Sequence, residues 1–318
     1  MGDAPGQTPS GLGLWVAGAR LRTLPAAVVP VLVGTACAVG VVDVILWRVV
    51  AAAVVALALQ IGTNYANDYS DGVKGTDAAD RVGPLRLVGS GAAAPGAVKR
   101  AALLSFGVAG LAGLALAAAV SWWLVPVGVV SVAAGWFYTG GPRPYGYAGF
   151  GEVFVFTFFG VVATVGSCFV QTSSITGLAV AASVPVGSLA TALLVVNNLR
   201  DILRPRSGKR TLAVRLGDGR TRILYLVLMV LPFVMVPIVA GLGQRLLGAA
   251  ALLVVPVARR PVQTVLEGAT GPALIPVLGA TGMVQLSYGV LLAGGMVVGV
   301  VAAAGVTARP ARRPVRRL

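Results

Sequence analysis

Residues 49–71 read VVAAAVVALALQIGTNYANDYSD. From Val49 to Asn67 there is no charge, and Asp68 and Asp71 follow at once. A helix needs about 20 predominantly apolar residues to cross the hydrocarbon core of a bilayer. The stretch therefore reads as a membrane span whose end delivers two carboxylates to one surface. The same pattern repeats outward in both directions. Windows free of Asp, Glu, Lys and Arg cover 23–42, 49–67, 101–142, 153–199, 223–244 and 268–308. The windows at 101–142 and 153–199 are long enough for two helices each, and 246–258 spans if Arg245 and Arg259 snorkel to opposite surfaces. A mean hydropathy of +0.89, with 57% hydrophobic and 11% charged residues, is a membrane composition.

The expected fold is all-α and polytopic, with about nine transmembrane helices near 24–42, 47–67, 100–119, 122–140, 150–170, 177–200, 220–241, 244–260 and 281–304. A Gly/Pro/Ser-rich segment, 1–19, reads as flexible and has no signal-peptide pattern, so the first span is expected to stay attached. One membrane domain covers 20–305, and a basic tail covers 306–318. The 43 glycines suit close helix packing in lipid. Cys37 and Cys168 read as small packing residues, and the absence of histidine excludes imidazole bases.

A net charge of +15 raises a nucleic-acid reading, which its distribution excludes. With nine spans and the N-terminus inside, nearly all Lys and Arg fall on cytoplasmic segments, and the opposite loops hold only Arg48 and Arg245. The basic tail from Arg309 to Arg317 would then lie outside, unless 268–308 forms a hairpin and the count is ten.

Ten carboxylates serve the whole chain, and Asp68, Asp71, Asp77 and Asp80 fall together. They lie in one of two long connections, 68–98 and 201–219, which share a side of the membrane. Each connection follows an N-x-x-x-D ending: Asn64 to Asp68, and Asn197 to Asp201. On a helix Asn64, Asn67, Asp68 and Asp71 share one face. Amide and carboxylate oxygens from two such faces suit Mg²⁺, a hard cation that completes its shell with water and phosphate oxygens. Lys74, Arg81, Arg86, Arg143, Arg200, Lys209 and Arg210 stand beside the acids, so metal ligands and phosphate binders are combined as a diphosphate site needs.

The run Asn64-Tyr65-Ala66-Asn67-Asp68-Tyr69-Ser70-Asp71-Gly72 with Gly75-Thr76-Asp77 resembles the first aspartate-rich motif of the UbiA superfamily of intramembrane aromatic prenyltransferases. Residues 81–91, RVGPLRLVGSG, are similar to the branch that acts on 1,4-dihydroxy-2-naphthoate in menaquinone synthesis. So are 135–147, GWFYTGGPRPYGY; 151–156, GEVFVF; and 208–217, GKRTLAVRLG. The resemblance covers about 20–300. It departs at the second motif, where Asp201 is followed by Ile202 to Ser207 without a further acid, so the second metal position loses a ligand.

The resemblance implies nine helices with cytoplasmic active-site loops in the bacterial plasma membrane. It also implies transfer of a polyprenyl group from polyprenyl diphosphate to 1,4-dihydroxy-2-naphthoate, with loss of CO₂ and diphosphate. Mg²⁺ would sit on Asn64, Asp68, Asp71, Asn197 and Asp201. Lys74, Arg143, Lys209 and Arg210 would hold phosphate oxygens, with Asn67 and Asn198 in the substrate site. Tyr65, Tyr69, Tyr138, Tyr145 and Tyr147 would face the allylic cation. Arg81, Arg86 or Arg143 would take the naphthoate carboxylate. No residue stands out as a general base. The polyprenyl tail would lie between helices, against lipid. Rival readings are a related transferase with another acceptor, a diverged paralogue, and a transporter, which would carry its acids near mid-membrane in broken helices.

Overall fold

The computed structural model describes residues 10–76, 85–202 and 209–307. The described residues form helices and no strands, as they must where lipid offers no partner for backbone N–H and C=O groups. In order these are α1 (Leu12–Ala19), α2 (Pro25–Ala38), α3 (Leu46–Val73), α4 (Pro95–Ala119), α5 (Leu124–Phe137), α6 (Gly151–Val155), α7 (Ala163–Thr172), α8 (Gly177–Arg200), α9 (Leu212–Leu216), α10 (Asp218–Leu242), α11 (Val255–Leu266) and α12 (Leu274–Thr307). A π-helical turn, Phe156–Val162, joins α6 and α7 into one rod, and a 3₁₀ stretch, Leu246–Val254, leads into α11.

Among the described residues, seven helices are long and apolar enough to cross a membrane, and eight if α1 and α2, bent by 54°, count as one span. The expected nine segments all have helical counterparts, but α5 has only 14 residues, so length alone does not reach nine. The hairpin considered for 268–308 is not formed, because α12 runs unbroken for 34 residues. The N-terminal segment expected to be flexible contains α1, which packs on α3.

The centre of the bundle is α8, flanked by α2, α10, α12 and the π turn. Gly160 and Gly187 permit that contact: a Cβ on Gly160 would lie 2.5 Å from the Gly187 Cα. Proline inside α10 shows how lipid enforces backbone satisfaction. Pro232 has no N–H for the Leu228 carbonyl one turn earlier, and Ser188 Oγ of α8 donates to that carbonyl at 2.8 Å.

The two basic residues assigned to the opposite surface have a structural task. Arg48 donates to the Val170 carbonyl at 3.0 Å and to that of Ala119 at 3.4 Å, near the C-termini of α7 and α4. Arg245 donates to the carbonyls of Ala36, Cys37 and Val39 at the end of α2. Helix C-termini carry unpaired carbonyls and partial negative charge, so guanidinium groups cap them.

Candidate active site

A cavity of about 1220 Å³ lies among α2, α3, α4, α5, the α6–α7 rod and α8. Along α3 it is lined from Asp71 back to Ala52, a run of about 28 Å at 1.5 Å per residue. Val31, Ala52, Leu116 and Val170, a buried apolar cluster, line the far end. The side toward α4 and α5 is lined by small and apolar residues, among them Gly110, Gly113 and Gly128. The mouth is polar. It holds two carboxylates, Asp71 and Asp201, and five cationic side chains, Arg20, Arg22, Arg86, Arg200 and Lys209.

Asp71 is the centre of the mouth. It is 2% exposed, and its carboxylate accepts from Lys209 Nζ at 3.0 Å, from Arg86 Nη2 at 3.4 Å and from the Tyr147 hydroxyl. Lys209 Nζ also lies 4.5 Å from the centre of the Tyr147 ring. Asp201 forms a two-pronged pair with its neighbour Arg200, at 2.9 and 3.1 Å.

The structure moves the repeat by one turn. Asn67 and Asp71 of α3 line the cavity with Asn197 of α8 and Asp201 at its C-terminal cap, and both pairs have N-x-x-x-D spacing. Asn64 also lines the cavity, but its amide nitrogen spans the Ala19 carbonyl at 2.9 Å and Thr23 Oγ1 at 3.2 Å, tying α3 to the α1–α2 turn. Asp68, expected as a metal ligand, is fully buried and accepts from the backbone N–H groups of Leu87 (2.8 Å) and Val88 (3.1 Å). It anchors the returning loop and is not among the lining residues.

Other expectations divide in the same way. Tyr138, Tyr145, Tyr147, Asn198, Arg86 and Lys209 line the cavity. Lys74 instead donates to the carbonyls of Thr139 (2.7 Å) and Gly141 (2.9 Å), bracing the turn after α5. Burial holds its ammonium below the usual lysine value. Tyr65 donates to the Trp15 carbonyl at 2.8 Å, and Tyr69 packs on Trp136; both are helix-packing groups. Arg143 and Arg210 are exposed and off the cavity wall. Arg81, Asp77, Asp80 and the departure after Ile202 lie outside the described residues.

Arg20 and Arg22 also stand at the mouth, and the acid-bearing connections give no sign of them. Nor do they give a role to Thr139, whose hydroxyl donates to Asn67 Oδ1 at 2.9 Å, or to Glu152, which accepts from Asn198 at 2.9 Å. Glu152 was visible as the single acid inside the 101–199 apolar region.

One wall is aromatic. Tyr145 stacks on Phe154 at 3.9 Å between ring centres, Phe154 stacks on Phe158 at 5.9 Å, and Tyr138 meets Tyr145 edge-on. Burial pushes the phenol of Tyr145 up. It remains a neutral hydroxyl near neutral pH. Among the described residues no group of three His, Cys, Asp or Glu side chains comes together. The oxygen donors at the mouth are therefore two carboxylates with amides, a hard set compatible with Mg²⁺ that keeps water and phosphate in its shell.

Residues 27–266 match the model of the UbiA prenyltransferase family. The chain is 47% identical over 292 residues to the 1,4-dihydroxy-2-naphthoate octaprenyltransferase of Mycobacterium tuberculosis (strain ATCC 25618 / H37Rv), covering 90% of this chain and 97% of that one. It is 40% identical over 217 residues to the enzyme of the same name from Escherichia coli (strain K12), covering 65% and 70%. The fold resembles that of a UbiA homolog from Archaeoglobus fulgidus bound to DMAPP and Mg²⁺, with a TM-score of 0.57 at 13% identity over 87% of this chain and 98% of that one. With a helical bundle enclosing an acid-lined mouth and a long apolar cavity, and with this likeness over most of its length, the chain belongs to the UbiA prenyltransferase family.

Proposed function

We propose that this integral membrane protein transfers a polyprenyl group from polyprenyl diphosphate to 1,4-dihydroxy-2-naphthoate, releasing diphosphate and CO₂ and giving the prenylated 1,4-dihydroxynaphthalene, demethylmenaquinol. The observation that carries this reading is the joining of two N-x-x-x-D pairs and a cluster of cations to the open end of a cavity about 28 Å long. A diphosphate with a long hydrocarbon chain has that distribution of polarity. The name of the relatives in Mycobacterium tuberculosis and Escherichia coli supports the naphthoate as acceptor.

Asn67, Asp71, Asn197 and Asp201 are the residues that would hold Mg²⁺, which when bound neutralises charge developing on a leaving diphosphate. Lys209 and Arg86, now directed at Asp71, stand within reach of phosphate oxygens at the same place, and Arg20, Arg22 and Arg200 add positive potential. Preorganised cations in a water-poor site favour departure of an anionic group more than they would in bulk water. The rings of Tyr138, Tyr145, Phe154 and Phe158 offer their π faces to an allylic cation and exclude water from it. The apolar length of the cavity receives the chain. The positive-inside distribution supports a plasma-membrane enzyme with this mouth on the cytoplasmic side.

The test uses purified protein in nanodiscs with 1,4-dihydroxy-2-naphthoate, a long-chain prenyl diphosphate and Mg²⁺. Demethylmenaquinol forms, read as demethylmenaquinone after oxidation in air; it is lost with EDTA and returns with added Mg²⁺. Folded protein that makes no product with any prenyl donor would overturn the assignment.

A further inference from the structure

Glu152 opens α6 and is 5% exposed, yet nothing in the diphosphate chemistry uses it. Its position follows from the residue before it. A Cβ on Gly151 would sit 3.1 Å from Cε2 of Tyr138 and 3.3 Å from Cδ2 of Leu194, so glycine lets α6 approach both the tyrosine ring and α8. Asn198 is one turn beyond Leu194 on α8. From α6, Glu152 Oε1 accepts from Asn198 Nδ2 at 2.9 Å.

This bond sets the direction of an amide. A carboxylate accepts hydrogen bonds and does not donate them, whereas an asparagine amide can turn either its N–H₂ or its oxygen to a neighbour. With Nδ2 committed to Glu152, Oδ1 is directed away from the carboxylate. Among the described residues Oδ1 receives no hydrogen bond, and Asn198 lines the cavity while Glu152 stands behind it. Tyr138, Tyr145 and Leu194 line the same part of the wall. The result is a mostly apolar surface with one oriented acceptor.

We propose that Glu152 is a positioning residue for the aromatic acceptor: it holds the Asn198 amide so that Oδ1 accepts a hydrogen bond from a ring hydroxyl of that substrate. The inference rests on the naphthoate reading above. Accepting from a phenolic O–H draws the proton toward Oδ1 and raises electron density in the ring, which favours attack on an allylic cation. No atom is transferred to Asn198 or Glu152. A site built to bond a hydroxyl rejects analogues without it more strongly than an apolar slot does, because its buried polar group is then left unpaired.

The experiment is steady-state kinetics on the full chain in nanodiscs with Mg²⁺, varying each substrate in turn. It includes inhibition by the naphthoate and by its ring methyl ethers. Glu152→Leu removes the acceptor of the Asn198 N–H₂. We expect kcat/KM for the naphthoate to fall about tenfold or more while KM for the prenyl diphosphate stays unchanged. The preference for hydroxyl over methyl ether falls toward unity. Glu152→Gln, which can still accept from Nδ2, stays within about fivefold of wild type. Asn198→Ala reproduces the loss of preference, and adding Glu152→Leu to it changes the preference no further, as a residue acting only through Asn198 requires. If Glu152→Leu does not fold, Glu152→Gln and Asn198→Ala still read the hydroxyl preference, and an unchanged preference in Asn198→Ala overturns the proposal. Equal losses for both substrates, or an undiminished preference in folded Glu152→Leu, overturn it while leaving the proposed function standing. A wild-type protein that never turns over the naphthoate overturns both.

Discussion

Asp71→Asn should separate the electrostatic centre of the mouth from its surroundings. The carboxylate is 2% exposed and faces Lys209 Nζ at 3.0 Å and Arg86 Nη2 at 3.4 Å. At an effective dielectric of about 20, each pair has a gross attraction of about 5 kcal/mol. Most of that is offset by the cost of taking the charges out of water. Removing one partner from a buried pair typically costs about 3–5 kcal/mol, and Arg86 and Lys209 have further interactions that soften the loss, so about 3 kcal/mol of stability is expected. Asparagine also directs an N–H₂ at one of its donors. In catalysis the substitution removes a carboxylate from the Mg²⁺-compatible set, and losses of about 10²–10³ in kcat are usual when one preorganised stabiliser of developing charge is removed. The assay pairs thermal unfolding in nanodiscs with product formation across a Mg²⁺ titration. A folded Asp71→Asn protein that turns over within about tenfold of wild type, with an unchanged Mg²⁺ requirement, would refute the placement of Asp71 at the metal and diphosphate.

Asp68→Asn should behave differently although it lies three residues away. It weakens the hold on the Leu87 and Val88 N–H groups, costing about 1–3 kcal/mol of stability, and leaves the Mg²⁺ requirement of the folded fraction unchanged. The double variant Asp71→Asn with Asp201→Asn should be little slower than the worse single one, since residues that act as a unit are strongly non-additive; multiplicative losses in kcat would argue for independent roles. Leu116→Trp adds bulk at the far, apolar end of the cavity and should shift the preferred donor toward shorter prenyl diphosphates, read from competition among donors of graded length, with KM for the naphthoate unchanged. Gly160→Ala places a methyl group 2.5 Å from the Gly187 Cα and should cost about 1–3 kcal/mol by overpacking, seen as a lower unfolding temperature.

Much of the fold is legible because lipid leaves few alternatives: an uncharged run of span length becomes a helix, and 153–199 holds two of them, the α6–α7 rod and α8. The two acid-bearing connections are legible for the same reason, since charge in so apolar a chain collects at helix ends. Which acid faces the cavity is not. Asp68 and Asp71 lie only about 60° apart around a helix of 3.6 residues per turn, so both belong to any face drawn from spacing. What separates them is a loop returning at Leu87 and Val88, whose N–H groups claim Asp68 and leave Asp71 to Lys209 and Arg86. Lys74 is lost to the site in the same way, through the Thr139 and Gly141 carbonyls.

These are contacts across long separations, and they follow one rule. Backbone groups at helix ends and in the loops between them need partners, and here several polar side chains supply them. Arg48 and Arg245 meet that need at the opposite surface, and Asp68 and Lys74 meet it beside the mouth. The polar residues left after that demand is met are the ones available to a substrate. At the mouth they include Asn67 with Asp71 and Asn197 with Asp201, together with the Oδ1 of an Asn198 whose other end is already held by Glu152.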